Sequence, residues 1–352
     1  MKTVIVTGGL GYIGSHTVVE LLNEGYEVVV IDNLSNSSET VIDGIRAITK
    51  KSFHFFDIDI RDYDKLEGAI GYYQQSIVGV IHFAACKSVG ESMKEPSKYY
   101  DNNVAGTNNL LMLMKKYKVP TLVFSSSCTV YGEADDLPVT EQSSIKPAES
   151  VYGRTKQINE QMIKDFHLEY DFNSILLRYF NPIGSHESAL IGELPNGTPD
   201  NLLPYISQTA SGQRKEFTIF GTNYNTEDGT CIRDYIHVVD LAKAHIVAMN
   251  TSAEKKLKSE PVNLGTGKGY SVKEVLEAFE IENDVKVNTI YGEKRKGDIE
   301  AIYADPSYAK ELLNWEAELG LKEMVTSVWK WQKTISNKCC GGGCCNHQNK
   351  KL

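Results

Sequence analysis

Eight residues near the start of the chain, Thr7-Gly8-Gly9-Leu10-Gly11-Tyr12-Ile13-Gly14, constrain it more than any other segment. They lie between an apolar β-branched run, Val4–Thr7, and a helix-like stretch, His16–Asn23. Gly8, Gly11 and Gly14 form a GxxGxxG spacing. Glycine at such places serves a tight turn, a close approach of backbone to a pyrophosphate, and a close helix–strand contact. The helix that follows offers unpaired N–H groups and the positive end of its dipole to phosphates. Alone, the motif is equally a plain glycine turn. Its context tips the balance, because Asp32 ends the second apolar run, 18 residues past Gly14. A carboxylate there accepts from ribose hydroxyls and repels a 2′-phosphate. No Arg or Lys occurs between Asp32 and Ile45 to welcome that phosphate. The site reads as one for NAD rather than NADP.

The rest of the first half has a matching rhythm. Apolar runs at Val28–Ile31, Val78–Phe83, Thr121–Ser125 and Ser174–Arg178 alternate with helical stretches such as Ser97–Tyr117 and Tyr152–Tyr170. Strands alternating with helices imply βαβ units and a parallel sheet covered on both faces. The fold class is therefore α/β, a Rossmann-type doubly wound parallel sheet with a smaller C-terminal substrate-binding lobe. After about residue 181, Pro182, Pro195, Pro199 and Pro204 break the pattern. We set the NAD-binding domain at 1–180 and the substrate lobe at 181–335, with some elements expected to return to the large domain, and a cysteine/glycine tail at 336–352.

Charge and composition exclude several classes. A formal net charge of −9 disfavours nucleic acid and anionic membranes as partners. No apolar run approaches the roughly 20 residues that span a bilayer, and the start lacks the apolar region of a signal peptide, so the expectation is a cytoplasmic protein. Cys86, Cys128 and Cys231 are scattered and expected to be reduced. Cys339, Cys340, Cys344 and Cys345 crowd the tail. Disorder is the expected state there; zinc binding, with His347, and S-acylation are the alternatives, and no metal is assigned.

A second constellation carries chemistry. Ser125-Ser126-Ser127-Cys128-Thr129 follows the strand Thr121–Phe124, at the sheet edge where α/β ligands bind. Tyr152 and Lys156 follow, four apart and so on one helix face. A tyrosine titrates near 10 and is a poor base at neutral pH; a neighbouring ammonium and a cationic nicotinamide ring both favour its phenolate. Tyr152 then serves as base and acid, Lys156 as tuner of its pKa, and Ser127 as the donor orienting the same sugar hydroxyl.

The chain resembles the extended short-chain dehydrogenase/reductases, and within them the UDP-glucose 4-epimerase family, from residue 2 to about 333. The resemblance rests on the glycine loop continued to His16, Val80–Ala85, Tyr99–Val104, Ser125–Gly132, Leu177–Pro182, Thr226–Thr230 and Arg233–His237. It implies NAD contacts from Tyr12 and Ile13 at the pyrophosphate and from Asp32, Asn33, Leu34, Ser35, Asn36 and Ser37 at the adenosine ribose. Asp59 and Ile60 would flank the adenine; Phe83, Ala84, Ala85, Lys87 and Asn102 would line the middle; Phe180 would lie beside the nicotinamide. Asn181, Asn201, Leu202, Phe220, Arg233, Arg295 and Asp298 match positions that hold the uridine diphosphate, with Lys87, Tyr179, Ser127 and Tyr152 near the sugar. Arg233 and Arg295 suit a diphosphate physically, although Lys294-Arg295-Lys296 also reads as a solvated run, Asn181 as an Asn-Pro turn and Lys87 as a surface lysine. Ile302 matches the position that limits room beside the sugar's carbon 2.

The implied reaction interconverts UDP-glucose and UDP-galactose through a transient 4-keto sugar, with NAD as temporary hydride acceptor and a homodimer as the usual assembly. Related dehydratases carry an Asp-Glu pair just after the strand-end Ser or Thr; here Cys128 and Thr129 stand there. Another nucleotide-sugar epimerase or a dehydrogenase of the same family remains an alternative, as does an NAD-sensing protein, which usually loses the Tyr or Lys kept here.

Overall fold

The computed structural model describes residues 2–341 apart from Lys296 and Gly297, with side chains through Asn337. Its central layer is a seven-stranded parallel sheet. The strands β1 (Thr3–Thr7), β2 (Glu27–Asp32), β3 (His54–Asp57), β4 (Ile77–His82), β5 (Thr121–Ser125) and β6 (Asn173–Tyr179) are joined at the edge by Glu260–Leu264. From that edge strand the order runs β6, β5, β4, β1, β2, β3. The chain therefore leaves β1 in one direction and returns through β4 in the other, opening a crevice at the carboxyl ends of β1 and β4.

Period-2 alternation explains the two cores. Val4, Val6, Val28, Val30, Ile175 and Leu177 face one way, against Val18 and Leu21 of the first helix, α1 (Tyr12–Asn23), and Ile246 of Val238–Lys255. Ile5, Val29, Ile31, Val80, Leu122 and Leu176 face the other, against Leu66, Leu110 and Leu113. Every residue of β1 is buried, as a strand covered on both faces requires.

Two helices differ from the sequence expectation. Ser97–Tyr117 is not one regular helix: Pro96–Tyr99 and Gly106–Tyr117 are α-helical, and Tyr100–Ala105 between them is a π-helix. The widened segment leaves the Asn103 carbonyl to accept from Thr107 Oγ1 at 2.6 Å and Asn159 Nδ2 at 2.9 Å, so buried polar side chains replace the regular ladder. The helix expected to reach Tyr170 spans Val151–Phe166, capped by Ser150, whose hydroxyl accepts from the Gly153 N–H at 3.1 Å.

Beyond residue 181 the strand Ile232–His237 is the hub of a small sheet. It pairs with Asn181–Ile183, Gly269–Ser271 and Ala301–Ile302. Phe217–Phe220 and Thr289–Gly292 form a separate pair. Glu260–Leu264 and Val238–Lys255 belong spatially to the large sheet. The last helix runs Leu321–Gly341, so the segment from 336 begins inside a helix. Cys344, Cys345 and His347 lie outside the described residues, as do the side chains of Cys339 and Cys340.

Candidate active site

The glycine loop bridges β1 and α1 at the crevice. Gly8 has φ +69°, and a Cβ there would sit 2.7 Å from the Ala84 backbone nitrogen. At Gly14 a Cβ would sit 2.2 Å from the Gly8 carbonyl oxygen. A side chain at Gly8 would press on the backbone that follows β4, and one at Gly14 would push α1 off the glycine loop. Gly11 caps α1 without any side-chain hydrogen bond to its first N–H groups, which leaves them free to receive an anion. A cradle closed to any side chain, beside an uncapped helix start, fits the pyrophosphate of a dinucleotide.

Asp32 ends β2 and organises the next loop. Its Oδ2 accepts from the Leu10 N–H at 3.0 Å, and its Oδ1 from the Leu34 N–H at 2.9 Å and Ser37 Oγ at 2.8 Å. Leu34 is thereby held at φ +56°, a conformation that typically costs a non-glycine residue about 1–3 kcal/mol and clusters at functional sites. Asn33 Nδ2 reaches Asp59 Oδ2 at 2.9 Å. Hydrogen bonds from Arg61 hold the Asp59 carboxyl well below the usual range. Ile60 packs where a side chain on Gly106 would otherwise stand. Phe83, Ala84 and Ala85 follow β4 directly, with the Phe83 N–H donating to the Thr7 carbonyl at 2.9 Å. Asn102 lies in the π-helical segment and donates to Asn103 Oδ1 at 2.9 Å.

Ser127, Tyr152 and Lys156 meet where β5 ends against the helix Val151–Phe166. Ser127 caps a short turn and accepts from Thr129 Oγ1 at 3.0 Å. Lys156 is 2% exposed; its Nζ donates to the Ser125 carbonyl at 2.6 Å and lies 5.9 Å from the centre of the Tyr152 ring. Burial lowers its pKa to about 7, opposed by the charge of Glu160. Burial and Tyr179 push the Tyr152 phenol above its ordinary value, and Ser127 opposes that rise. Burial thus biases both groups toward their neutral forms, the phenol by raising its pKa and the ammonium by lowering it. Tyr179 shares a short hydrogen bond with Ser125. Phe180, Ile302 and Cys128 pack together beside this pair.

The remaining sites sort into two groups. Arg295 pairs with Asp298 at 2.8 Å, and its guanidinium lies 5.4 Å from the centre of the exposed Phe220 ring. The hub strand carries Arg233 in register with Ile302 and Tyr235 in register with Asn181. In the second group, Glu193 Oε1 accepts from Lys87 Nζ at 3.1 Å and Asn201 Nδ2 at 2.5 Å, while Leu202 opens the helix Leu202–Ala210. Three residues escaped sequence reasoning. Glu193 is one, linking Lys87 after β4 to Asn201 at the start of the helix Leu202–Ala210. Tyr224 is another, buried beneath Lys294 at 4.0 Å, its hydroxyl without a partner among the described residues. Glu160 is the third; only its spacing of four from Lys156 could have drawn notice. No group of three or more potential metal ligands occurs among the described residues, and none of the helices described is long and apolar enough to cross a membrane.

Comparison with known proteins gives a consistent picture. Residues 5–328 match the family described as GDP-mannose 4,6 dehydratase. The UDP-glucose 4-epimerase of Bacillus subtilis is 48% identical over 338 residues, 95% of this chain and 98% of that one. The crystal structure of UDP-glucose-4-epimerase from Stenotrophomonas maltophila, with bound NAD and formylated UDP-arabinopyranose, matches with a TM-score of 0.92 at 45% identity, covering 96% of this chain and 100% of that one. The enzyme from Bifidobacterium longum, in complex with NAD+ and UDP, matches with a TM-score of 0.90 at 44% identity, covering 96% and 99%.

Proposed function

The chain belongs to the UDP-glucose 4-epimerase family, and from that premise we propose a residue-level account of how it inverts carbon 4 of a UDP-sugar. It is an NAD-dependent isomerase that interconverts UDP-glucose and UDP-galactose. The observation that carries the account is the Ser127–Tyr152–Lys156 grouping at the crevice, next to a glycine cradle fit for a pyrophosphate. When bound, NAD supplies a hydride acceptor that later returns the hydride.

The protein's own groups handle the proton and the geometry. Tyr152 takes the proton of the 4-hydroxyl, Ser127 holds that hydroxyl, and the Lys156 ammonium offsets the charge on the phenolate. The proton returns from Tyr152 once the 4-keto sugar has turned over. Elimination needs an acid and a base just after Ser127, but burial pushes the Cys128 thiol up to about 12, and Thr129 is a neutral alcohol. The ketone is left with re-reduction. Arg233 and Arg295 clamp the diphosphate, with Phe220 against the uracil and Asn181, Asn201, Leu202 and Asp298 completing the grip. Asp32 through Ser37, Asp59, Ile60 and Phe83 to Ala85 hold the adenosine half of NAD, with Lys87, Asn102 and Phe180 toward its centre and nicotinamide.

We further place the reaction in galactose metabolism and the enzyme in the cytosol, a reading supported by the unpaired thiols of Cys86, Cys128 and Cys231. A homodimer built on the helices of 97–117 and 151–166 is supported by the exposed apolar side chains Met93, Met112 and Leu168 on or beside them. The test of function is incubation with UDP-galactose and no added NAD. UDP-glucose should form; absence of epimer, or a stoichiometric need for added NAD with net reduction, would reject the reading.

A further inference from the structure

Behind the catalytic pair lies a buried ionic network that the reaction does not use directly. Arg178, on β6, donates through Nε to Glu160 Oε1 at 2.9 Å and through Nη2 to Oε2 at 2.6 Å. Both side chains are nearly fully enclosed, at 4% and 7% exposure. Ser126 Oγ donates to Glu160 Oε1 at 2.6 Å. Arg178 Nη1 donates to the Tyr131 hydroxyl at 3.0 Å, which in turn donates to Asn263 Oδ1 at 2.7 Å.

The spacing gives this network a direction. Tyr152, Lys156 and Glu160 are four residues apart, so they share one face of the helix Val151–Phe166. Ser125, Ser126 and Ser127 are consecutive at the end of β5. The first accepts from Lys156, the second donates to Glu160, and the third acts on Tyr152. Three successive residues of the strand end are thus tied to three successive turns of the helix. A second carboxylate contact, from Arg178, keeps Glu160 in that place from the other side.

We propose that Glu160 is a positioning residue for the reaction: it touches neither substrate nor cofactor, but its carboxylate, locked by Arg178 and Ser126, keeps the Lys156 ammonium charged and aimed at Tyr152. This deepens the reading of Tyr152 and Lys156 as the catalytic pair, and rests on it. The groups facing Lys156 leave Glu160 as its anionic counterpart. From β4 comes His82, whose imidazole burial lowers to about 3, so it is neutral. From β5 come the Phe124 ring, 4.9 Å from Nζ, and the Ser125 carbonyl. From β6 come Arg178, already paired, and Tyr179, whose phenol burial pushes up to about 12. From its own helix come Tyr152 and Glu160.

The sign follows. Glu160 raises the affinity of Lys156 for its proton against the effect of burial. Without the carboxylate the ammonium deprotonates at lower pH, and turnover fails earlier as pH rises. Glu160→Gln alone strands the Arg178 charge and risks misfolding, so the paired variant Glu160→Gln/Arg178→Gln is measured beside Glu160→Asp. Profiles of kcat against pH are recorded for UDP-galactose, with retained NAD and Tm as controls. The double variant should keep its NAD and a cooperative unfolding transition, yet lose turnover at lower pH than the parent. Its ratio of kcat at about pH 8 to that at about pH 5 should fall roughly tenfold below the parent's, the effect of moving by about one unit a limb that lies near 7 in the parent. Glu160→Asp, with the charge kept, should move the profile back toward the parent. A double variant whose kcat falls equally at every pH would overturn the proposal and leave Glu160 a scaffold residue. Tyr152→Phe in the same assay separates the two readings: if it retains full turnover the catalytic pair is wrong, whereas if it is inactive and the limb stays in place, only the role of Glu160 falls.

Discussion

Burial acts on Tyr152 and Lys156 in the same sense, making each less willing to carry charge. A phenolate base therefore has to be created by electrostatics inside the site. Replacing Tyr152 with Phe removes the proposed proton-transfer group and keeps the ring. Turnover should fall by about 10²–10⁴-fold, the usual worth of a positioned acid–base, with bound NAD recovered in unchanged amount on denaturation. Activity within about threefold of the parent would remove Tyr152 from its role. Lys156 has a second consequence, in stability. Its pKa in the folded chain is about 7 against 10.5 for a free lysine. Between those values the unfolded chain binds more protons, so stability rises with pH across that window, and the cost of burying the ammonium is greatest below it. Lys156→Met should therefore abolish most turnover while leaving the Tm of nucleotide-free protein at about pH 6 equal or higher. A fall of several degrees at that pH would contradict the linkage.

At the scale of elements, the start of α1 is built around missing side chains. A Cβ on Gly14 would sit 2.2 Å from the Gly8 carbonyl, and the obstacle is backbone, which cannot swing aside. Gly14→Ala should lower both Tm and the NAD retained through purification. Gly68 gives the contrasting case: it lies in the helix Tyr63–Tyr73, and a Cβ there meets nothing within 4 Å. Gly68→Ala should stabilise by about 0.5–1 kcal/mol, read by denaturant unfolding, and leave NAD content unchanged. Equal effects of the two substitutions would show that the cradle does not depend on close approach. The same contrast marks what was legible in the sequence. The glycine spacing, the apolar strands and the i, i+4 pair are local patterns, readable because their periodicity is carried by adjacent residues. The strand His54–Asp57 was missed because it is short and only partly buried at the sheet edge. The π-helical turn at Tyr100–Ala105 was missed because it depends on Asn159, more than fifty residues away, to satisfy a freed carbonyl. Glu160 and Arg178 likewise look like ordinary helix and strand charges until β6 is laid beside β5.

At the scale of the whole molecule, the proposed sugar pocket draws on elements of two separate sheets. Ile302 belongs to the small sheet, where it lies in register with Arg233. Its side chain, 4% exposed, packs instead with Cys128 and Phe180, which follow β5 and β6 of the large sheet. A buried side chain wedged between the two sheets has little freedom to retreat, and Ile is branched and stiff at its first torsion. Making room beside the sugar's carbon 2 for an acetamido group would force an off-rotamer side chain or a backbone shift, costing about 1–3 kcal/mol. That corresponds to roughly 5- to 150-fold in kcat/KM. UDP-glucose and UDP-galactose should thus be preferred over UDP-N-acetylglucosamine by that factor, measured as the ratio of specificity constants. Ile302→Cys should raise the N-acetyl activity while leaving the plain sugars within a few-fold, because on the proposed reading Ile302 faces carbon 2 of the sugar and not the hydroxyl on carbon 4. Equal specificity constants in the parent would mean that the wedge yields, and that another wall of the pocket sets the substrate range. An N-acetyl activity unmoved by Ile302→Cys would show that this side chain does not set the limit.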